Sequence, residues 1–385
     1  MGDLITETMP KPIAFIDLAA QQRRIEKEVK QAINNVLAHG LYVSGPEVEK
    51  LEGQLAAHCG AKHAIGCSSG TDAIVLALMA LGVGPGDAVF VPTFTFAATA
   101  EAVALVGATP VFVDCHAQTY NMDSRSLDEA ISMIAADGEL RPVGVIVVGM
   151  FGQPPDFKRI DPVAAKYRLW VIDDAAQSYG AAYDNRKVGA LAKVTTTSFF
   201  PAKPLGCYGD GGAIFTDDDE LADVIRSLLV HGKGADKYDN VRIGMNGRLD
   251  TIQAAILIEK MKIFDEEIDM RNEVYKRYNA GLKDIVEVPA VVDGGTSVWA
   301  QYTIALDGRD SVSAKLKSVG VPTAIYYPKP LHTQTAYRHF PSAPGGLPVS
   351  ETLAQKVLSL PMHPYLDPAT QERIIKAVIT AIETK

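Results

Sequence analysis

Seven short apolar segments alternate with stretches of helical periodicity between residues 64 and 216, and this alternation restricts the fold more than any other feature of the chain. The segments are HAIGCSS, AVFVP, TPVFVD, VGVIVVG, LWVIDD, TTTSFF and GAIFTD. Nearly continuous apolar runs of this length are typical of parallel strands that are covered on both faces. The intervening segments, such as residues 72–81 and 97–106, have the pattern of buried helices. The alternation therefore predicts an α/β domain with a large, mostly parallel sheet.

The pattern changes after a charged helical segment at about residues 250–278. There, VEVPAVVDGGTSVWAQYTIALDG is followed by SVSAKLKSVGV and by a helix near residues 368–383, which predicts a smaller α+β unit. A chain of 385 residues is long enough for two domains. We place the large domain at residues 1–264, including an N-terminal helix at 21–38, and the small C-terminal domain at 265–385.

Composition excludes several classes of partner. The formal net charge of −9 leaves no basic stripe for phosphates, so a nucleic-acid partner is not expected. The four cysteines contain no CxxC pair, which argues against a zinc site or a disulfide framework and favours a reducing compartment. The chain start does not resemble a signal peptide, and the apolar run AIVLALMALGV is too short to cross a bilayer. We expect a cytoplasmic protein without a metal or membrane partner.

The segment TTTSFFPAKPLGCYGDGG places Lys203 between a predicted strand and a glycine cluster. A solvated loop lysine would explain its presence, but Pro201 and Pro204 restrict the backbone on either side, and the glycines allow a ligand to approach closely. Partial desolvation lowers the pKa of a lysine, and the neutral amine condenses with a carbonyl to form a Schiff base. Lys203 is therefore a candidate nucleophile.

The segment GCSSGTDA joins a predicted strand to an apolar helix. Free backbone N–H groups at such a helix start bind phosphate, with Ser69, Gly70 and Thr71 as candidate donors. A capped helix without a ligand is the alternative. The segment also fits G-x-S-x-G, so an α/β hydrolase with Ser68 as its nucleophile, completed by Asp174 and His332, is a second hypothesis.

Two further pairs of candidate residues lie at the ends of predicted strands. Asp173 and Asp174 follow LWVI, and one such carboxylate could keep a pyridine nitrogen protonated, although it could equally cap the next turn. Phe94 and Phe96 follow another strand, where core packing is the alternative to stacking on a planar cofactor. A phosphate cradle, an acid, an aromatic face and a lysine together predict a pyridoxal 5′-phosphate site.

The motifs SSGTDA, PTFTFAAT, IDDAAQSYGA, SFFPAKPLGCYGDGGA, MNGRLDTIQAA and YYPKPLHTQ are similar to those of the DegT/DnrJ/EryC1/StrS sugar aminotransferases, of fold-type I. The resemblance covers most of the chain and implies that Lys203 forms the Schiff base with the cofactor. It also implies a homodimer with shared sites, in which Asn246 reaches the neighbouring subunit's cofactor. The other implied cofactor contacts are Gly70, Thr71 and Ser198 for the phosphate, Phe96 for the ring face, Asp174 for the ring nitrogen and Gln177 for the ring hydroxyl.

Two positions depart from the pattern: Phe200 stands where many relatives have histidine, and Gln177 where some have it. Family members that dehydrate sugars replace the lysine by histidine, so the presence of Lys203 favours transamination. The resemblance implies L-glutamate as the amino donor.

The resemblance is strongest to enzymes that aminate a nucleotide-linked 3-keto-2-acetamido-hexuronic acid for bacterial surface polysaccharides such as O-antigen. Arg248 could bind the sugar carboxylate or form a structural ion pair. Tyr327 and His332 are implied to line the sugar site. A 4-keto-6-deoxy sugar and a non-catalytic sensor on the same fold remain alternatives.

Overall fold

The computed structural model describes residues 12–236 and 238–384. Residues 1–11, on which the prediction about a signal peptide partly rests, lie outside this part of the chain. The strands are β1 (His63–Cys67), β2 (Asp87–Pro92), β3 (Thr109–Val113), β4 (Arg141–Val148), β5 (Trp170–Asp174), β6 (Ala182–Tyr183), β7 (Arg186–Lys187), β8 (Val194–Ser198), β9 (Gly212–Thr216), β10 (Tyr302–Ala305) and β11 (Val357–Leu360).

The predicted helices form, with one correction. The helix predicted at residues 21–38 is broken at Ile25, whose backbone leaves the helical region, so two helices form there instead of one. The helices are α1 (Leu18–Arg24), α2 (Glu26–His39), α3 (Pro46–Cys59), α4 (Gly70–Ala80), α5 (Ala98–Leu105), α6 (Ser124–Asp137), α7 (Phe157–Lys166), α8 (Asp219–Leu228), α9 (Thr251–Leu282), α10 (Arg309–Ser318), α11 (Pro348–Lys356) and α12 (Pro368–Glu383).

The seven predicted strands form one sheet in the order β1-β9-β8-β5-β4-β2-β3. Strand β9 runs antiparallel to both of its neighbours, and the remaining pairs are parallel. The α/β fold with a mostly parallel sheet is therefore confirmed. In such sheets, ligands bind beyond the carboxyl ends of the strands.

Helices cover both faces of the sheet. One buried cluster contains residues of α4, α5, α6 and α7 together with consecutive residues of β2 and β4, so it reaches both faces of the sheet, and a second cluster joins α3 and α9 to β1 and β9. The strands between them, such as β2, are buried along their whole length, which is why they read as continuous apolar runs. This packing holds the carboxyl ends of the strands in place.

The C-terminal part contains an antiparallel pair, β10 and β11, packed with α10 and α12 around a separate buried cluster. The long helix α9 contributes to this cluster through Val274, Tyr278 and Leu282, and its first half packs on the large sheet. The division predicted at residue 264 lies inside this continuous helix and stays a prediction.

Within residues 12–236 and 238–384, no helix combines the length and the apolar character that crossing a bilayer requires. The same residues contain no cluster of three or more His, Cys, Asp or Glu side chains suited to a metal ion. The four cysteines are free and buried.

Candidate active site

A pocket of about 450 Å³ lies at the carboxyl edge of the sheet, where β5 and β8 end and α4 begins. It is closed on another side by the segment that contains Tyr326, from the C-terminal part of the chain. Most of the residues that the sequence singled out line this one pocket. They are Gly70, Thr71, Phe96, Asp174, Gln177, Ser198, Lys203 and Tyr327.

Lys203 and Asp174 both line this pocket, and the charge of each stabilises the charged form of the other. Burial lowers the pKa of the Lys203 amine, and the charge of Asp174 opposes this shift only in part. Burial raises the pKa of Asp174, against the effects of the backbone N–H of Ala176, the charge of Lys203 and the hydroxyl of Thr99. The Thr99 hydroxyl donates to Asp174 Oδ2 at 3.0 Å and the Ala176 N–H donates to Oδ1 at 3.2 Å. The pocket thus contains an amine whose pKa is lowered by burial and a hydrogen-bonded acid.

The first turn of α4 forms another wall of the pocket. Ser69 caps this helix, because its hydroxyl accepts the N–H of Asp72 at 3.0 Å. The backbone of Gly70 passes so close to Ser198 that a Cβ at position 70 would lie 2.6 Å from the Ser198 Cβ. A helix start with unpaired N–H groups and two hydroxyl side chains, Thr71 and Ser198, has the donors that a phosphate requires.

Gln177 connects the acid strand to the C-terminal part of the chain. Its Oε1 accepts the N–H of Phe151 at 2.9 Å, and its Nε2 donates to the hydroxyl of Tyr327 at 3.0 Å. Burial raises the pKa of Tyr327, so this phenol stays neutral at physiological pH. The amide therefore holds Tyr327 at the pocket wall.

The two phenylalanines after β2 have different environments. Phe94 is fully buried and packs on Tyr120, Phe151 and Tyr327. Phe96 is 59% exposed and lines the pocket. Its ring is therefore free to cover a planar group.

Asn246 and Arg248 lie outside the pocket. The Arg248 guanidinium donates to Asn246 Oδ1 through Nε at 3.0 Å and Nη2 at 2.6 Å, on the exposed side of the chain. Arg248 was predicted to bind a sugar carboxylate or to form an ion pair. Within one subunit it does neither, because its partner is the neutral amide of Asn246.

The structure contradicts the hydrolase hypothesis. The Ser68 hydroxyl donates to Asp72 Oδ2 at 2.5 Å rather than to an imidazole. His332 also lies outside the pocket, where its ring nitrogens contact Thr93 Oγ1 at 2.7 Å and Glu351 Oε1 at 3.1 Å. The proposed triad is not assembled, because each of its members is bonded to a different part of the fold.

Several pocket residues were not identified from the sequence. They include Ile16, Thr95, Asp210, Gln301 and Tyr326. Ile16 and Gln301 come from distant parts of the chain, and no local pattern indicates that they meet at one site. Thr99 could have been found, because it lies on the first turn of a helix that follows a strand end.

The donor set fits pyridoxal 5′-phosphate. One pocket is lined by the phosphate donors at the start of α4, by the acid at the end of β5 and by the lysine that follows β8. The close approach of Gly70 to Ser198 leaves no room for a side chain at position 70, and a glycine there allows a ligand to approach the backbone closely. Each chemical group of the cofactor therefore has a matching residue.

This fold and this site together define an aminotransferase of the α/β class. The sequence model of the DegT/DnrJ/EryC1/StrS aminotransferase family matches residues 23–379, and the chain belongs to that family. The prediction made from the motifs is thereby confirmed.

Three relatives are informative. The UDP-2-acetamido-2-deoxy-3-oxo-D-glucuronate aminotransferase of Pseudomonas aeruginosa is 50% identical over 369 residues, which cover 96% of this chain and 99% of that protein. The crystal structure of a DegT DnrJ EryC1 StrS aminotransferase from Brucella abortus has a TM-score of 0.95 and 53% identity, covering 97% of this chain and 100% of that one. NtdA from Bacillus subtilis, solved with bound cofactor PMP, has a TM-score of 0.88 and 30% identity, covering 98% of this chain and 87% of that one.

Proposed function

We propose that this protein transfers an amino group from L-glutamate to a nucleotide-linked keto-sugar, with pyridoxal 5′-phosphate as its cofactor. The observation that supports this most directly is the joint placement of Lys203, Asp174 and the start of α4 in one pocket. The relatives support it as well, because both are aminotransferases and their similarity to this chain extends over nearly their full length.

The cofactor would be held from several sides. The start of α4 with Gly70 and Thr71, together with Ser198, would bind its phosphate, and Phe96 would cover its ring. Asp174 would bind the ring nitrogen, and Gln177 would lie near the ring hydroxyl. When bound, this group acts as an electron sink for the carbon that loses or gains a proton.

The residues of the chain then have distinct tasks. Burial lowers the pKa of the Lys203 amine, which favours the neutral form that would take a proton from the substrate carbon and return it. The bonds from Thr99 and Ala176 favour the anionic form of Asp174 against the effect of burial, and an anion there would keep the ring nitrogen protonated. Gln177 fixes Tyr327 at the wall that faces the substrate.

We propose UDP-2-acetamido-2-deoxy-3-oxo-D-glucuronate as the acceptor, which would receive its amino group at C3. The Pseudomonas aeruginosa relative carries that name at 50% identity. The proposal includes a cytoplasmic location and a place in the synthesis of bacterial surface polysaccharide such as O-antigen.

A carboxylated sugar raises the question of which cation binds it. Among the described residues, Lys203 is the only basic side chain that lines the pocket. Arg248 lies outside the pocket, where it bonds Asn246. The segment that contains both residues continues to Asp250, which pairs with Val43, and the nearby Leu41 is 55% exposed. Residues 41–43 and 243–250 are taken together as one surface.

We therefore propose a homodimer in which this surface is covered by a second copy. Exposed apolar side chains such as Ile243, which is 90% exposed and precedes Asn246 by three residues, would be buried there. Arg248 and Asn246 of one subunit would then complete the site of the other, while Tyr327 and His332 would lie on the sugar side.

The direct test is mass spectrometry of the product formed with L-glutamate and a panel of nucleotide-linked ketoses, including UDP-linked 3-keto-uronic and 4-keto-6-deoxy sugars. We expect amination of the 3-keto-uronic acid, and none with Lys203→Ala. Preferred amination of the 4-keto-6-deoxy sugar would reject the proposed acceptor. Failure of glutamate to aminate the cofactor would favour the sensor alternative over an aminotransferase.

A further inference from the structure

A second, narrow cavity lies behind Lys203. It shares Ile16, Ala202 and Lys203 with the main pocket, so the two spaces adjoin at the lysine. Arg271 of α9 and His363 of the loop after β11 also line this cavity. The cavity holds about 10 Å³, the space of a single water molecule or of one carboxylate oxygen.

Arg271 is a buried cation without an ion pair among the described residues. It is 7% exposed, and its one hydrogen bond runs from Nη1 to the Trp299 carbonyl at a long 3.4 Å. A guanidinium has five N–H donors, so most of its capacity is unused. Burial lowers the pKa of Arg271 to about 10, as expected of a cation removed from water. Such a group is costly unless an anion binds it.

The acids nearby are bonded elsewhere. Glu267, one turn earlier on α9, attracts Arg271 electrostatically, but its two oxygens accept bonds from Gln21 Nε2 at 2.8 Å and the Tyr365 hydroxyl at 2.5 Å. Asp17, in the wall of the cavity, caps α1 by accepting the Ala20 N–H at 2.8 Å. These acids reduce the local positive potential, but neither accepts a hydrogen bond from the guanidinium of Arg271.

His363 also lines this cavity. It is 4% exposed, and its Nδ1 has no hydrogen-bond partner among the described residues. Burial lowers the pKa of His363 to about 4, so the ring is neutral at physiological pH. Arg271 is therefore the cation of this wall.

The position of this cation matches one property of an α-amino acid. Such a donor carries its carboxylate on the same carbon as the amine that reacts. A cation that binds this carboxylate must therefore lie next to Lys203 and not at the far end of the main pocket. Arg271 faces the cavity that opens at Lys203.

We propose that Arg271, with His363 beside it, forms the subsite for the α-carboxylate of the amino donor. This inference rests on the proposed function, since it assigns the donor half of the same reaction. One carboxylate oxygen would enter the cavity, replace water and contact the guanidinium, which holds the amine of the donor at Lys203. The keto-sugar, which has no α-carboxylate, would leave this subsite unused.

The test measures the donor half-reaction of the holoenzyme by the absorbance change of the cofactor, with L-glutamate and with 4-aminobutanoate. The second compound keeps the amine and the distal carboxylate of glutamate but lacks the α-carboxylate. We expect Arg271→Gln to raise the half-saturating glutamate concentration by about 30-fold or more, as loss of a buried charge contact does. Its effect on 4-aminobutanoate should be less than about threefold, and Arg271→Lys should be intermediate because it keeps the charge without the fork.

The matched control is Arg277→Gln on the same helix. Arg277 bonds Gln371 and the Leu366 carbonyl, away from the cavity, so this variant should keep the wild-type response to both donors. Thermal unfolding with 2-oxoglutarate provides a readout without turnover: the keto acid should raise the midpoint of the wild type and of Arg277→Gln but not of Arg271→Gln.

Two results would overturn the inference while leaving the proposed function intact. One is equal glutamate half-saturation in wild type and Arg271→Gln. The other is an Arg271→Gln defect confined to the keto-sugar half-reaction, which would assign the arginine to the acceptor. If wild type itself shows no absorbance change with glutamate, the proposed function fails and the inference fails with it.

Discussion

Asp173 and Asp174 are consecutive residues of β5, and only Asp174 lines the pocket that contains Lys203. Side chains alternate between the faces of a strand, so the two carboxyl groups lie on opposite sides of the sheet. Asp173 is fully buried and neither of its oxygens has a hydrogen-bond partner among the described residues. Burial and the charge of Asp174 raise the pKa of Asp173 well above its ordinary value, which favours the neutral form of this acid.

This relationship predicts opposite outcomes for two adjacent substitutions. Asp174→Asn removes the anion beside the ring nitrogen, and kcat should fall by about 100- to 1,000-fold. Asp173→Asn places an amide of the same shape at a position that does not line the pocket, so kcat should stay near the wild-type value even if stability changes by about 1–3 kcal/mol. Steady-state kinetics of both variants, loaded with cofactor, decide this. Equal losses of kcat would contradict the assignment of the two faces.

A Cβ at position 70 should weaken cofactor binding. In Gly70→Ala the new methyl group would lie 2.6 Å from Ser198 Cβ, so the start of α4 must shift. Overpacking of this kind costs about 1–3 kcal/mol, which, if lost from cofactor binding, corresponds to a rise of about 5- to 140-fold in the Kd for pyridoxal 5′-phosphate. The Kd is measured by fluorescence titration of the apoprotein.

Gly53 provides the control for this substitution. It lies within α3, and nothing lies within 4 Å of a Cβ built there. Gly53→Ala should leave the Kd for the cofactor unchanged and stabilise the fold by about 0.5–1 kcal/mol, since alanine favours a helix interior. A similar rise in Kd for both variants would indicate a general effect of helix substitution.

The stability of the fold should depend on pH through Lys260. This lysine of α9 is 2% exposed, donates to the Gly206 carbonyl at 2.6 Å and lies 4.4 Å from the ring centroid of Tyr208. Burial lowers its pKa from 10.5 to about 8. Below pH 8 the lysine is charged in both the folded and the unfolded chain, and the folded state bears the cost of burying the charge. Between pH 8 and 10.5 the folded state releases the proton first, so stability rises.

The comparison with Lys260→Met isolates this effect. The free energy of unfolding of the wild type, relative to that of the variant, should increase by about 2–3 kcal/mol as the pH rises through this window. Urea denaturation at pH 7, 8.5 and 10 measures it. A constant difference across the three values would show that Lys260 titrates near its ordinary pKa.

Ile243→Asp should disrupt the proposed homodimer. The side chain is 90% exposed in one subunit, and its burial in a two-fold interface would be lost twice. Because each buried isoleucine contributes about 1.5–3 kcal/mol, the dimer Kd should rise by at least about 100-fold in sedimentation equilibrium. Val319→Asp, at the end of α10 and 61% exposed, is the matched control and should leave the Kd unchanged. Unaltered association of Ile243→Asp would place the interface elsewhere.

Much of the large domain could be predicted from the sequence because its signals are local. The apolar runs of β2 to β5 and the polar residues directly after them follow from strand burial alone. Lys203, Asp174 and Gly70 each lie at a strand end or a helix start, and parallel strands bring their carboxyl ends to one edge. A prediction of one pocket from separate motifs was therefore possible.

Residues whose position depends on contacts between distant segments could not be predicted. Within one subunit Arg248 bonds Asn246, and His332 bonds Thr93 and Glu351, so neither lines the pocket and their roles at the substrate stay predictions. Arg271 has no sequence signal, since a charged residue in a long charged helix reads as solvent-exposed. The sequence by itself determined the sheet, the lysine, the acid and the phosphate-type helix start. The tertiary structure decided which other charged side chains are buried beside them, because burial depends on how remote segments such as α9, the loop after β11 and residues 16–17 pack against one another.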